Sequence, residues 1–134
     1  METTTTAITI ANATQAGPYC SFVPETPEQK KALYNAMTRP DHKFSDFVNK
    51  EVKICNVFVE GVEMVDATTG ETFRAPRIVL IDDKGESYAA VSSGVYRDLV
   101  RICQVYGNAP WDGLTVRFIQ TQIKDRRVYG LDIV

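Results

Sequence analysis

The chain has 134 residues, 44% of them hydrophobic and 24% charged, which suits one compact domain and excludes a wholly disordered protein. Fifteen Lys and Arg against seventeen Asp and Glu give a net charge of -2, so overall charge does not steer the chain to nucleic acid and any such site must be a local patch. No apolar run approaches the roughly 18 residues that span a bilayer, and the start METTTTA lacks the layout of an export signal, so the sequence reads as soluble and cytoplasmic. In chain order, residues 1 to 6 form a Thr-rich flexible tail, and Ile8 to Ala13 alternates weakly as an edge strand. A short apolar piece, Tyr19 to Val23, ends at Pro24. Thr26-Pro27-Glu28-Gln29 then sets a Thr cap, a proline at the first helical position and a glutamine closing a capping box. The helix it starts carries Ala32, Leu33, Ala36 and Met37 and stops at Arg39-Pro40. A second short helical piece, about residues 44 to 49, sets Phe44 and Phe47 on one side.

From Val52 the period changes to two. Val52-Lys53-Ile54 alternates, and Val57-Phe58-Val59 follows one residue out of phase, which is how a β-bulge reads in sequence. This long bent strand ends at Ala67-Thr68-Thr69-Gly70; Phe73 to Ile81 forms a second strand and Glu86 to Ser92 a third. Ser92-Ser93-Gly94 caps a helix with the apolar stripe Val95, Leu99, Ile102, Cys103 and Tyr106, stopped by Gly107. Leu114-Val116-Phe118 and Val128 to Val134 are the last two strands, with Trp111 packing in the loop before them. The order strand, strand, strand, helix, strand, strand over residues 52–134 is that of an OB-fold, a five-stranded Greek-key barrel. Residues 7–51 are then an N-terminal strand and helical extension, with one or two short helices covering an open barrel end, while the basic Lys43 and Lys50 leave ligand contact by these helices open. Other small mixed β domains carry the same string of elements.

Catalytic and metal constellations are not offered. Cys20, Cys55 and Cys103 form no Cys-x-x-Cys pair, and His42, the only histidine, sits in the loop-like stretch Arg39-Pro40-Asp41 where solvent exposure is expected. Asp82-Asp83-Lys84-Gly85 reads as a tight turn between two strands, Gly85 accepting positive φ, rather than as a carboxylate pair for metal or acid-base work. Neither a phosphate-binding glycine loop nor a nucleophile elbow is present, so no enzyme, cofactor or metal is expected.

A binding surface is offered instead. With Val57, Val59, Ile78, Leu80, Ala89 and Val91 inward, alternation leaves Phe58, Phe73, Arg77 and Tyr88 together on the outer face of the first three strands. Planar rings beside a cation are what single-stranded nucleic acid asks for, since bases stack on the rings while cations track phosphates. Val79 and Ile81 are apolar as well, so the same run also fits a strand buried on both faces, with this surface covered. Residues 117 to 127 add Arg117, Lys124, Arg126 and Arg127 against Asp125 alone, a local charge of +3 around a loop that closes on oligonucleotides in OB-folds. Lys53 is a further candidate for phosphate, whereas Glu60, Glu63, Asp66 and Glu71 gather near the first turn, a region expected to face away from phosphate or to repel nonspecific duplex.

The stretches LYNAMTRPDHKFSDFVNKEV (33 to 52) and APRIVLIDDKGESYAAVSSGVY (75 to 96) resemble the small single-stranded DNA-binding proteins encoded by phages and mobile elements of Gram-positive bacteria. That resemblance implies an OB-type protein in the host cytoplasm that coats exposed single strands during replication, without strong sequence preference and without metal. Single-stranded DNA is the implied partner, with replication proteins beside it. Unlike the better-known bacterial proteins of this function, the sequence ends in the strand-like Leu131-Asp132-Ile133-Val134, which puts recruitment through an acidic tail in doubt. The competing reading from another class is an OB-like adaptor that docks a protein in a phage replication or assembly complex, with the exposed aromatics as its anchors.

Overall fold

The computed structural model describes residues 10–13 and 17–134. The expected tail, residues 1–6, lies outside the described residues, as do Ile8 and Thr9 of the expected edge strand. The described part of that strand is instead a 3-10 turn, Ile10–Asn12. Its carbonyls are held by a side chain far away in sequence: the Tyr96 hydroxyl donates to Ile10 O at 2.6 Å and Ala11 O at 2.8 Å.

Among the described residues seven strands and two α-helices follow. Strand β1 is Tyr19–Cys20, α1 is Pro27–Thr38, β2 is His42–Lys43, and a 3-10 turn spans Phe44–Phe47. Then come β3 (Glu51–Val65), β4 (Thr72–Asp82), β5 (Ser87–Val91), α2 (Ser93–Tyr106), β6 (Leu114–Ile123) and β7 (Arg126–Ile133). The chain is therefore mainly β, in keeping with an OB-like fold. The local signals act as chemistry requires. Thr26 Oγ1 accepts from the Gln29 N–H at 3.1 Å while Gln29 Oε1 accepts from the Thr26 N–H at 3.2 Å, so two orphan donors of α1 are satisfied reciprocally. Ser92 caps α2 by accepting from the Val95 N–H at 3.1 Å. Of the α2 stripe, Val95, Leu99, Ile102 and Cys103 are buried, whereas Tyr106 is exposed.

The strands form one sheet in the order β2-β5-β4-β3-β6-β7, with β1 on β3. Strand β3 serves both halves: residues 54 to 65 pair antiparallel with β4, and residues 51 to 54 pair with β6. The phase slip seen in sequence is a register shift between Ile54 and Asn56, where Cys55 is the extra residue. A sheet with one shared, bulged strand curls, and its concave side holds the main core of Val57, Val59, Ile78, Leu80, Phe118 and α2.

Among the described residues β5 and β7 are not hydrogen-bonded to each other. Strand β5 pairs instead with the parallel β2, through His42↔Tyr88 and Lys43↔Ala89. The next residue, Phe44, stacks on Phe118 with centroids 4.2 Å apart and meets Tyr129 of β7 edge-on at 5.5 Å. The N-terminal segment thus fills the seam of the curled sheet.

The turn between β4 and β5 is as the sequence implies. The Gly85 N–H donates to Asp82 O at 3.1 Å, and Asp82 Oδ1 accepts from the N–H groups of Lys84 and Glu86 at 2.9 Å and 2.8 Å. Trp111 is half-buried against the core and donates its Nε1–H to Gly107 O at 2.9 Å.

Candidate nucleic-acid interface

Paired residues of antiparallel strands share a face, so the register fixes which side chains stand together. On the outer face the rows are Phe58 with Val79 and Ala89, then Glu60 with Arg77 and Val91, then Val62 with Ala75, then Met64 with Phe73. Phe58, Phe73 and Arg77 do share a face. They do not form an open platform, because α1 lies over one end of it.

Ala36 and Met37 of that helix pack on Phe58 and Val79, and Phe58 is only 3% exposed. Contrary to expectation, Phe58 therefore presents no open face on which a base could stack. Val79 is buried under the same helix, so this part of β4 is apolar on both faces for a structural reason.

Tyr88, expected on the outer face, points inward. Its partner in β4 is Leu80, an inward residue, and Tyr88 is 5% exposed in the main core. Ala89 and Val91 hold the outer positions instead, and Val91 is exposed. The ring is tolerated inside because its hydroxyl donates to Asp82 Oδ2 at 2.9 Å. Burial, then that hydrogen bond, and the surrounding carboxylates hold the phenol well above its ordinary pKa, so it stays a donor.

Phe73 is 49% exposed, beside Met64 and past the reach of α1. Arg77 is largely covered and faces Glu60 at 3.6 Å. Arg117 pairs with Glu51 at 2.8 Å, a contact across the β3–β6 register. Lys124, Arg126 and Arg127 stand exposed at the β6–β7 hairpin, Lys124 at φ +56, and make no ion pair among the described residues. Lys53 is exposed on β3. The structure thus places three unpaired cations at one hairpin and the exposed ring, Phe73, at another.

A feature without a counterpart in the expected site is an aromatic cluster at the seam. His42 lies 4.6 Å from Phe47 and 5.0 Å from Tyr88, and Phe47 meets Tyr88 edge-on at 5.1 Å. His42, expected to face solvent, is half-buried there, and its Nε2 lies 3.0 Å from Glu86 Oε1. The signal in sequence was the three-residue spacing of Phe44 and Phe47, which shows a shared side but not what it packs on. Between Phe47, Lys50, Lys53 and Lys84 lies a cleft of about 420 Å³.

Among the described residues no group of three or more His, Cys, Asp or Glu side chains is arranged to hold a metal ion, and no helix is long and apolar enough to cross a membrane. A family model described as Phage Single-stranded DNA-binding protein matches residues 12–133, nearly the whole chain. Comparison with curated proteins and with solved structures gives no match.

Proposed function

The chain belongs to the phage single-stranded DNA-binding protein family, and on that premise we propose that it coats exposed single strands during phage or mobile-element replication as a non-enzymatic protein. The family match carries the ligand class. On this reading residues 52–134 are an OB-fold, a five-stranded Greek-key barrel, behind an N-terminal extension. The element order β3-β4-β5-α2-β6-β7 supports it. The protein works in the cytoplasm of the bacterial host, beside replication proteins.

The strand runs across the β3–β4 and β6–β7 hairpins, which take the places of the loop after the first and the loop after the fourth barrel strand of an OB-fold, the usual jaws for an oligonucleotide. Lys124, Arg126 and Arg127 neutralise phosphates at one hairpin, and at the other Phe73 offers its ring to a base while the carboxylates Glu63, Asp66 and Glu71 keep the phosphates turned outward. Arg117, Arg77 and Lys53 add weaker phosphate contacts. The first two must share their charge with Glu51 and Glu60, which offsets much of what a phosphate would gain.

Titration of oligo-dT against a duplex of the same length, at two salt concentrations, tests the function itself. Tight binding to the single strand that weakens steeply with salt is expected. Equal, weak binding to both would instead favour a protein-docking adaptor. Phe73→Ala is expected to weaken oligo-dT binding by about 1–3 kcal/mol while leaving the salt slope unchanged, because stacking releases no counterions. A changed slope with unchanged affinity would remove Phe73 from the base contacts.

A further inference from the structure

We propose that the cleft between the 3-10 turn and the β4–β5 turn receives one unpaired nucleotide of the bound strand, with the base against Phe47 and the flanking phosphates on Lys50, Lys53 and Lys84. The inference rests on the single-strand-binding reading and adds a second contact surface to it, away from the two hairpins.

Three observations converge on this cleft. The first is a braced ring. Phe47 is half-buried and braced by His42 at 4.6 Å and Tyr88 at 5.1 Å. A ring already fixed loses little rotamer freedom when a base settles on it.

The second is charge. The cleft is lined by three lysines and four carboxylates, Glu51, Asp82, Asp83 and Glu86. Three of the carboxylates are engaged elsewhere. Glu51 pairs with Arg117 at 2.8 Å, Glu86 lies 3.0 Å from His42, and buried Asp82 accepts from the Lys84 and Glu86 N–H groups and the Tyr88 hydroxyl. Asp83 is the one of the four without such a partner among the described residues, and none of Lys50, Lys53 and Lys84 makes an ion pair there. The lysines are held near one another by the backbone. Asn49 at φ +71 turns the chain from the 3-10 turn into β3 just before Lys50, and the Asp83 N–H donates to Lys53 O at 3.0 Å. The stem of Lys53 runs so close over Gly113 that a Cβ there would collide with it, which limits where its ammonium can go.

The third is size. At about 420 Å³ the cleft lies near the lower end of small-molecule pockets, which span roughly 300–1,000 Å³, so it holds a single planar group with its substituents. A base in a duplex is stacked on both faces and paired at its edge. It enters such a cleft only by flipping out, which costs its stacking and pairing, so the cleft itself favours single strands. The N-terminal extension, which supplies Phe47 and Lys50, then forms part of the binding site as well as closing the seam.

Photo-crosslinking of the full chain to oligo-dT carrying 5-iodouracil, with peptide mapping, tests this. An adduct on the peptide containing Phe47 is expected. Phe47→Ala also opens the core, so the second readout uses exposed residues. Lys50→Ala/Lys84→Ala is expected to keep the fold, diminish that adduct and weaken oligo-dT binding about 25-fold at 0.1 M salt, from two phosphate contacts at a single-strand slope of about 0.7 each. Adducts confined to Phe73 or the β6–β7 hairpin, with wild-type affinity in the double variant, would overturn the cleft assignment and leave the single-strand reading standing. A wild-type chain that binds no oligonucleotide would overturn both.

Discussion

Phe44→Ala is expected to destabilise the fold by about 3–5 kcal/mol, out of a typical total of about 5–15 kcal/mol for a domain of this kind. Phe44 is 1% exposed and occupies the place where β5 would otherwise meet β7. Its ring lies nearly parallel to Phe118, at 14°, and edge-on to Tyr129, so it ties the β6–β7 half of the sheet to the segment that pairs with β5. Truncation removes the ring's own transfer free energy and leaves a cavity that strands on either side cannot close, since each is held by its own ladder. In urea melts the midpoint should fall sharply with the slope unchanged. A loss below about 1 kcal/mol would mean that the extension decorates the sheet and does not close it. Oligonucleotide binding at a temperature where the variant is still folded separates this structural role from any contact with DNA.

Features whose cause lies within a few residues were legible in the sequence. The Thr26 capping box, the Asp82 to Gly85 turn and the bulge at Cys55 each follow from local chemistry or from a slip in local phase. The face of β5 was not legible. In Ser87-Tyr88-Ala89-Ala90-Val91 the alanines fit either side, and the choice is made by Asp82, a buried acceptor that the Tyr88 hydroxyl reaches only if the ring turns inward. Burial of Phe58 depends on α1, a contact between segments some twenty residues apart. Alternation gives the face of a strand, and whether that face is open is a tertiary fact. For the same reason the cations read from the β6–β7 hairpin need no revision of position: a hairpin tip has nothing above it, so charge in the sequence becomes charge on the surface.

That hairpin is where the largest change in binding is expected. Lys124→Ala/Arg126→Ala/Arg127→Ala should lower the salt slope for oligo-dT by about 2 and weaken binding about a hundredfold at 0.1 M salt, if each cation neutralises one phosphate with a slope of about 0.7. The effect should fade toward 1 M salt, where counterion release no longer drives association. The fold should be unaffected, because the three side chains are exposed and make no ion pair among the described residues. Arg117→Ala is the internal control. It removes the same formal charge, but it also frees Glu51, its partner at 2.8 Å, so the phosphate gains a repelling neighbour only where the strand passes close to β3. A slope change in Arg117→Ala as large as in the triple variant would move the phosphate path from the hairpin tip to the middle of the sheet. An unchanged slope in the triple variant would leave the local charge of the hairpin as a solvated surface with no part in binding.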